Sequence, residues 1–136
     1  MTAATLLTLT NPEVLAINQD ALDEQARLLN TSATPRGKPP TGTVSTLTWV
    51  GALAGADSWT VLVVNNESAT QMLRFDVGLL PRPESSGKLA ARDLWERRDL
   101  PGAYSKGDIL SKSVDVHDCF LLRFERVPRD VPCAAV

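Results

Sequence analysis

His117 is the single histidine of the sequence, so any chemistry that depends on imidazole must run through it. It stands between Val116 and Asp118, at an expected turn between strands. A histidine becomes catalytic only with a nucleophile and an orienting group beside it. The sequence has no Gly-x-Ser-x-Gly elbow to nominate a serine nucleophile. Two cysteines, Cys119 and Cys133, with one histidine fall short of zinc-site spacing. A phosphate-cradling glycine loop and a dinucleotide fingerprint are also missing. The residues therefore nominate no catalytic group, no metal ligand and no cofactor.

Carboxylates are plentiful, but their spacing does not single out an acid–base pair. Asp20, Asp23 and Glu24 follow a helical stretch and read as a solvated turn. Asp93 and Glu96 flank Trp95. A carboxylate beside an aromatic ring can hold a sugar by stacking and hydrogen bonding, which makes Trp95 and Asp93 candidate sugar contacts. The favoured alternative is that Trp95 packs in a β core while its neighbours face water, and Trp49 and Trp59 read the same way. Asn30-Thr31-Ser32 and Asn66-Glu67-Ser68 are acceptor tripeptides, so Asn30 and Asn66 are candidate glycosylation sites in a secreted chain. The cysteine spacing favours two separate thiols, Cys119 in a strand and Cys133 on a loose tail. A bridge tying the tail down is the alternative.

The chain that must position these residues is 136 residues long, 43% hydrophobic and 22% charged, with a net charge of -2. That is enough apolar material for one core. The charge balance offers nucleic acid or an anionic membrane no basic surface. Apolar runs such as Val61–Val64 are far too short to span a bilayer. A complete (β/α)8 barrel needs about 250 residues, so the length excludes one. Met1–Thr5 lacks the basic and apolar regions of a signal peptide.

Residues 3–29 read as helical, in two short pieces broken near Pro12. Thr10 or Asn11 can cap, Pro12 falls in the first turn, and Glu13 suits the positive helix end. Leu6, Leu7, Leu9, Val14, Leu15 and Ile17 make this segment apolar on more than one side, so it needs something to pack against. Residues 30–42, with Pro35, Gly37, Pro39, Pro40 and Gly42, read as an exposed loop. From residue 43 the texture is β-branched and aromatic. Six strands are expected: 44–50, 59–65, 71–77, 89–95, 109–116 and 119–127. In the third and sixth, strict alternation sends Leu73, Phe75, Phe120, Leu122 and Phe124 to one face. The second has a nearly continuous apolar centre, which predicts cover on both faces. The fold class is mainly β, an antiparallel β-sandwich preceded by a short helical segment.

Two stretches are more specific. Leu9-Thr10-Asn11-Pro12-Glu13-Val14-Leu15-Ala16-Ile17-Asn18-Gln19-Asp20 resembles the segment that ends the barrel of family 27 glycoside hydrolases, the α-galactosidases. Ala91-Arg92-Asp93-Leu94-Trp95 resembles the Asp-Leu-Trp strand of that family's C-terminal β domain. Trp49–Leu53, Trp59–Asn66 and His117–Phe124 are similar to further strands of the same domain. The resemblance runs in order over about residues 3–126. It departs where Ala21-Leu22-Asp23 replaces the family's Pro-Leu-Gly, in the longer stretch 34–42, and in the unmatched tail.

The resemblance implies residues 1–29 as a remnant of the last helix of a (β/α)8 barrel, 30–42 as a Pro/Gly-rich loop, 43–127 as the sandwich and 128–136 as a flexible tail. It implies a parent that hydrolyses terminal α-galactosyl residues by a retaining two-aspartate mechanism. In the family both aspartates lie upstream of the Leu-Thr-Asn motif, and no aspartate here matches either. The chain is therefore expected to be inactive alone, with a structural role. Its expected partner is the parent's barrel, which alone would meet the α-galactoside, and the parent is a candidate homodimer. Family members are usually secreted, lysosomal or vacuolar. The competing expectations are a free-standing carbohydrate-binding module and an interaction domain. An exposed tryptophan among polar residues would favour the module. An apolar patch running from the N-terminal helices onto the sheet would favour the fragment of a larger enzyme.

Overall fold

A computed structural model describes residues 2–20, 25–31, 46–54, 58–81 and 87–127. Two short helices, α1 (Ala3–Leu9) and α2 (Pro12–Asn18), precede eight strands. These are β1 (Arg27–Thr31), β2 (Thr46–Ala52), β3 (Ser58–Asn65), β4 (Gln71–Asp76), β5 (Leu89–Asp93), β6 (Arg98–Asp99), β7 (Ile109–Val114) and β8 (Cys119–Arg126). The larger sheet has the order β1-β2-β3-β8-β5-β6, and β4 pairs with β7 in the smaller one. Every pairing is antiparallel. Most of the expected loop at 30–42 and the tail with Cys133 lie outside the described residues.

Register explains the core. Across the β3–β8 ladder, Trp59 faces Phe124, Val61 faces Leu122 and Val63 faces Phe120. All six are buried. Side chains alternate along a strand, so one register choice turns this whole set inward. Leu73, Phe75 and Val114 of the smaller sheet close over it. All three phenylalanines of the chain meet there. Phe75 and Phe124 lie 5.8 Å apart between ring centroids, and Tyr104 meets Phe124 edge-on at 6.5 Å. The five residues that alternation sent inward are in the core.

The sequence reading is corrected at two places. Residues 27–29 do not continue a helix: β1 pairs with β2, Arg27 opposite Val50 and Leu28 opposite Trp49. Arg27-Leu28-Leu29 is too short to show helical period, and the open edge of β2 is satisfied by a strand. A short strand, β6, also stands at 98–99 where none was expected, with Arg98 opposite Asp93.

Asn65 closes one end of the sandwich. It is fully buried at the end of β3. Its Nδ2 donates to the carbonyls of Ala69 at 3.0 Å, Val114 at 3.0 Å and Asp115 at 2.9 Å, while Oδ1 accepts from Glu67 N at 3.0 Å. One side chain thus binds the β3–β4 turn to the end of β7. Asn65→Ala leaves several buried backbone groups unpartnered, at a cost of about 3 kcal/mol. Urea unfolding should show a lower midpoint with an unchanged slope. Asn65→Asp should be at least as damaging, because a carboxylate would then face carbonyl oxygens.

Candidate functional site

The residues singled out around Trp95 collect at one end of the sandwich, where the β5–β6 turn, the β7–β8 turn and the helices meet. A cleft of about 570 Å³ there is lined by Trp95, Glu96, Lys112, Asp118 and Cys119, with Leu7 of α1 on its rim. Asp93 does not line this cleft: it is 1% exposed and borders a second cleft of about 270 Å³ with Arg98, Tyr104, Lys112 and Phe120. It points inward with Leu89 and Ala91 of β5, and its carboxylate is occupied. Oδ2 is ion-paired with Lys112 Nζ, and Oδ1 accepts from Glu96 N at 2.9 Å. Lys112 comes from β7 and also reaches Glu96 at 3.3 Å. The ion pair therefore ties the two sheets together across their open end.

Burial pulls the Lys112 ammonium down, but the hydrogen bonds and charges of Asp93 and Glu96 outweigh it, and the net shift is upward. Burial pushes the Cys119 thiol up, and the Trp95 indole opposes this in part. The indole Nε1 is itself buried and makes no hydrogen bond of regular geometry. Trp95 is half-buried, Trp59 lies in the core and Trp49 is half-buried on β2. His117 stands in the β7–β8 turn with a left-handed φ of 55° and contributes to none of this. The described residues hold no group of three or more His, Cys, Asp or Glu that could bind a metal. None of their helices is long and apolar enough to cross a membrane.

A second arrangement was only half legible. Asn11 caps α2 by accepting from Glu13 N at 3.0 Å and Val14 N at 3.4 Å. Its Nδ2 also donates to Leu94 O at 2.8 Å, 83 residues away. Glu13 then binds Arg92 Nε at 2.6 Å. Arg92 continues to Asp99 Oδ1 at 3.1 Å and Arg97 O at 2.9 Å, fixing the turn where Arg97 adopts a φ of 55°. Glu13 is the foremost cause of the raised Arg92 pKa. At the other end, Asp20 Oδ1 accepts from Ala54 N at 2.7 Å. So α2 is strapped to the outer face of the larger sheet, and Ile17 lines clefts there together with Thr60 and with Arg123. The capping residue was readable in the sequence; its contact with Leu94 was not.

Beside α2 that outer face is unusually apolar. Leu28, Trp49, Leu62 and Leu121 form one row across four strands, and Leu47, Val64 and Cys119 form another. Leu121 is the most covered of them, at 9% exposed; the others are partly exposed. The sequence reading of β3 as covered on both faces is thus met by α2 on one part only. On α1 no residue is buried, and Leu6, Leu7 and Leu9 are 52%, 71% and 57% exposed.

Comparison with known proteins matches residues 44–124 to the family described as "Alpha galactosidase C-terminal beta sandwich domain". The chain is 35% identical over 124 residues to α-galactosidase 3 of Arabidopsis thaliana, covering 89% of this chain and 25% of that protein. It is similar to the crystal structure of α-galactosidase I from Mortierella vinacea, with a TM-score of 0.70 and 25% identity over 91% of this chain and 29% of that one. A family 27 β-L-arabinopyranosidase from Geobacillus stearothermophilus shares the fold, with a TM-score of 0.71 and 21% identity over 94% of this chain and 25% of that one. The chain thus spans about a quarter of the length of these relatives.

Two outcomes are expected. Asn11→Ala removes a helix cap, worth about 1 kcal/mol, together with the Leu94 bond. Hydrogen exchange should show protection falling in α2 while β3 and β8 keep theirs. In alkali, the folded chain holds the Cys119 proton above the thiol's ordinary pKa of 9.0 and the Lys112 proton above 10.5. The unfolded chain releases both earlier, so stability falls as pH rises from about 9. Cys119→Ala should remove the first part of that fall in denaturant midpoints measured from pH 8 to 11, and the Lys112 part should remain.

Proposed function

Because this chain belongs to the alpha galactosidase C-terminal β-sandwich family, we propose that it serves as the non-catalytic sandwich of a family 27 glycoside hydrolase and packs against that enzyme's barrel. The observation that carries this reading is the partly exposed apolar outer face of the larger sheet, together with the exposed leucines of α1. An antiparallel sheet facing water ordinarily carries polar residues there. A contiguous exposed apolar surface marks a missing neighbour. The relatives are about four times as long as the matched region, which leaves room for a barrel of about 250 residues.

Two of the three tryptophans argue in the same direction. A carbohydrate-binding module needs an aromatic face open to solvent with free polar groups beside it. Here Trp59 is buried, Trp49 lies in the apolar row and Asp93 is committed to Lys112. The chain's contribution is then stability and placement of the barrel, and the parent's α-galactoside chemistry resides in residues that this chain does not carry.

The purified chain should give no turnover of an aryl α-galactoside above background. A domain exchange tests the docking: residues 11–127 replace the corresponding sandwich of the Arabidopsis relative. The chimera should fold and hydrolyse the substrate. Leu62→Lys in the chimera should lower its thermal midpoint by several degrees, while the same change in the isolated chain should have little effect. Equal losses in both settings would refute docking through this face.

A further inference from the structure

The two acceptor tripeptides are not equivalent in the fold, and we infer that Asn66, not Asn30, is the residue of this chain that carries an N-linked glycan when it enters a secretory compartment. Asn30 and Thr31 belong to β1, and their backbones are paired with Thr48 and Leu47. Two of the three residues of that tripeptide are therefore withdrawn into a hydrogen-bonded ladder. Asn66-Glu67-Ser68 forms the turn between β3 and β4, with Asn66 and Ser68 both exposed. A turn is where a bulky polar modification can be accommodated without displacing core or ladder.

The neighbouring residue gives this turn its shape. Asn65 is buried and holds Glu67 N at 3.0 Å and Ala69 O at 3.0 Å. Those two contacts fix the backbone on both sides of Ser68 and leave Asn66 outside the anchor. The anchoring and presenting roles are thus divided between adjacent asparagines, and only the second begins an acceptor tripeptide. The co-reactant is a lipid-linked oligosaccharide pyrophosphate. The Asn66 amide nitrogen forms a bond to C1 of its first sugar and gives up one proton. The bond from C1 to the pyrophosphate oxygen breaks, and the lipid pyrophosphate leaves with the electron pair. No oxidation or reduction is involved.

The full 136-residue chain, placed behind a secretory leader, would be translated with microsomes and treated with peptide N-glycosidase F. One glycan-sized shift, sensitive to the glycosidase, is expected. Asn66→Gln should reduce it at least tenfold, Asn30→Gln should leave it unchanged, and Ser68→Thr should preserve it. Peptide mass mapping should find the deamidation left by the glycosidase at position 66. A shift that survives Asn66→Gln and disappears in Asn30→Gln would overturn the assignment. So would a leader-processed chain that carries no glycan. Since residue 66 is exposed in a turn, Asn66→Gln should keep the thermal midpoint of the parent chain, which separates loss of the acceptor from loss of the fold.

Discussion

The antiparallel register of β3 on β8 is the constraint on which the rest of the molecule depends. It sets Trp59, Val61 and Val63 opposite Phe124, Leu122 and Phe120, and so decides which face of the larger sheet is core. A slip of one residue would set Arg123 and Leu121 beside Trp59 and Val61 and turn Phe124, Leu122 and Phe120 to the outer face. The smaller sheet has only two strands, which could not stand alone in water. It survives because Leu73, Phe75 and Val114 find the β3–β8 face already assembled. The same register creates the second feature of interest, since turning one apolar set inward turns the Trp49–Leu62–Leu121 row outward.

Residues of types that usually suggest chemistry serve here to close the ends of the sandwich. Asp93 and Lys112 link the two sheets, with the Asp93 carboxylate buried at the junction. Breaking such a buried pair costs more than its presence contributes, because the surviving charge has no water to turn to. Asn65 and Asn11 act by the same logic with neutral amides, each satisfying backbone groups at a point where strand or helix hydrogen bonding stops. All three devices sit where regular pairing runs out.

The strap formed by α2 changes how the N-terminal segment is understood. It is held to the sheet at both ends, by Asn11 and Glu13 on one side and Asp20 on the other. A segment anchored in this way transmits its orientation to whatever precedes it. In the proposed enzyme such an anchored element would join the sandwich to the barrel, with α2 fixed to the sheet.

Strict alternation in Leu73–Val77 and Phe120–Phe124, punctuated by turn residues, was sufficient to read an antiparallel sandwich and its core face from the sequence alone. The Thr-Asn-Pro-Glu start of α2 was legible for the same reason: capping is a contact between residues two or three apart. β1 escaped because three residues, Arg27-Leu28-Leu29, carry no period, and their strand form depends on the vacant edge of β2. Adjacency in sequence does not say where the Asp93 carboxylate points; its ion pair with Lys112, nineteen residues away, emerges only in the fold. Local hydrogen bonding and side-chain period are properties of neighbouring residues, so the sequence by itself determined the fold class, the core face and the helix cap. Ion pairs, edge pairing and the anchoring of α2 join residues up to 83 positions apart. Only closure of the sandwich brings such partners within hydrogen-bonding distance, so these were decided by the tertiary structure.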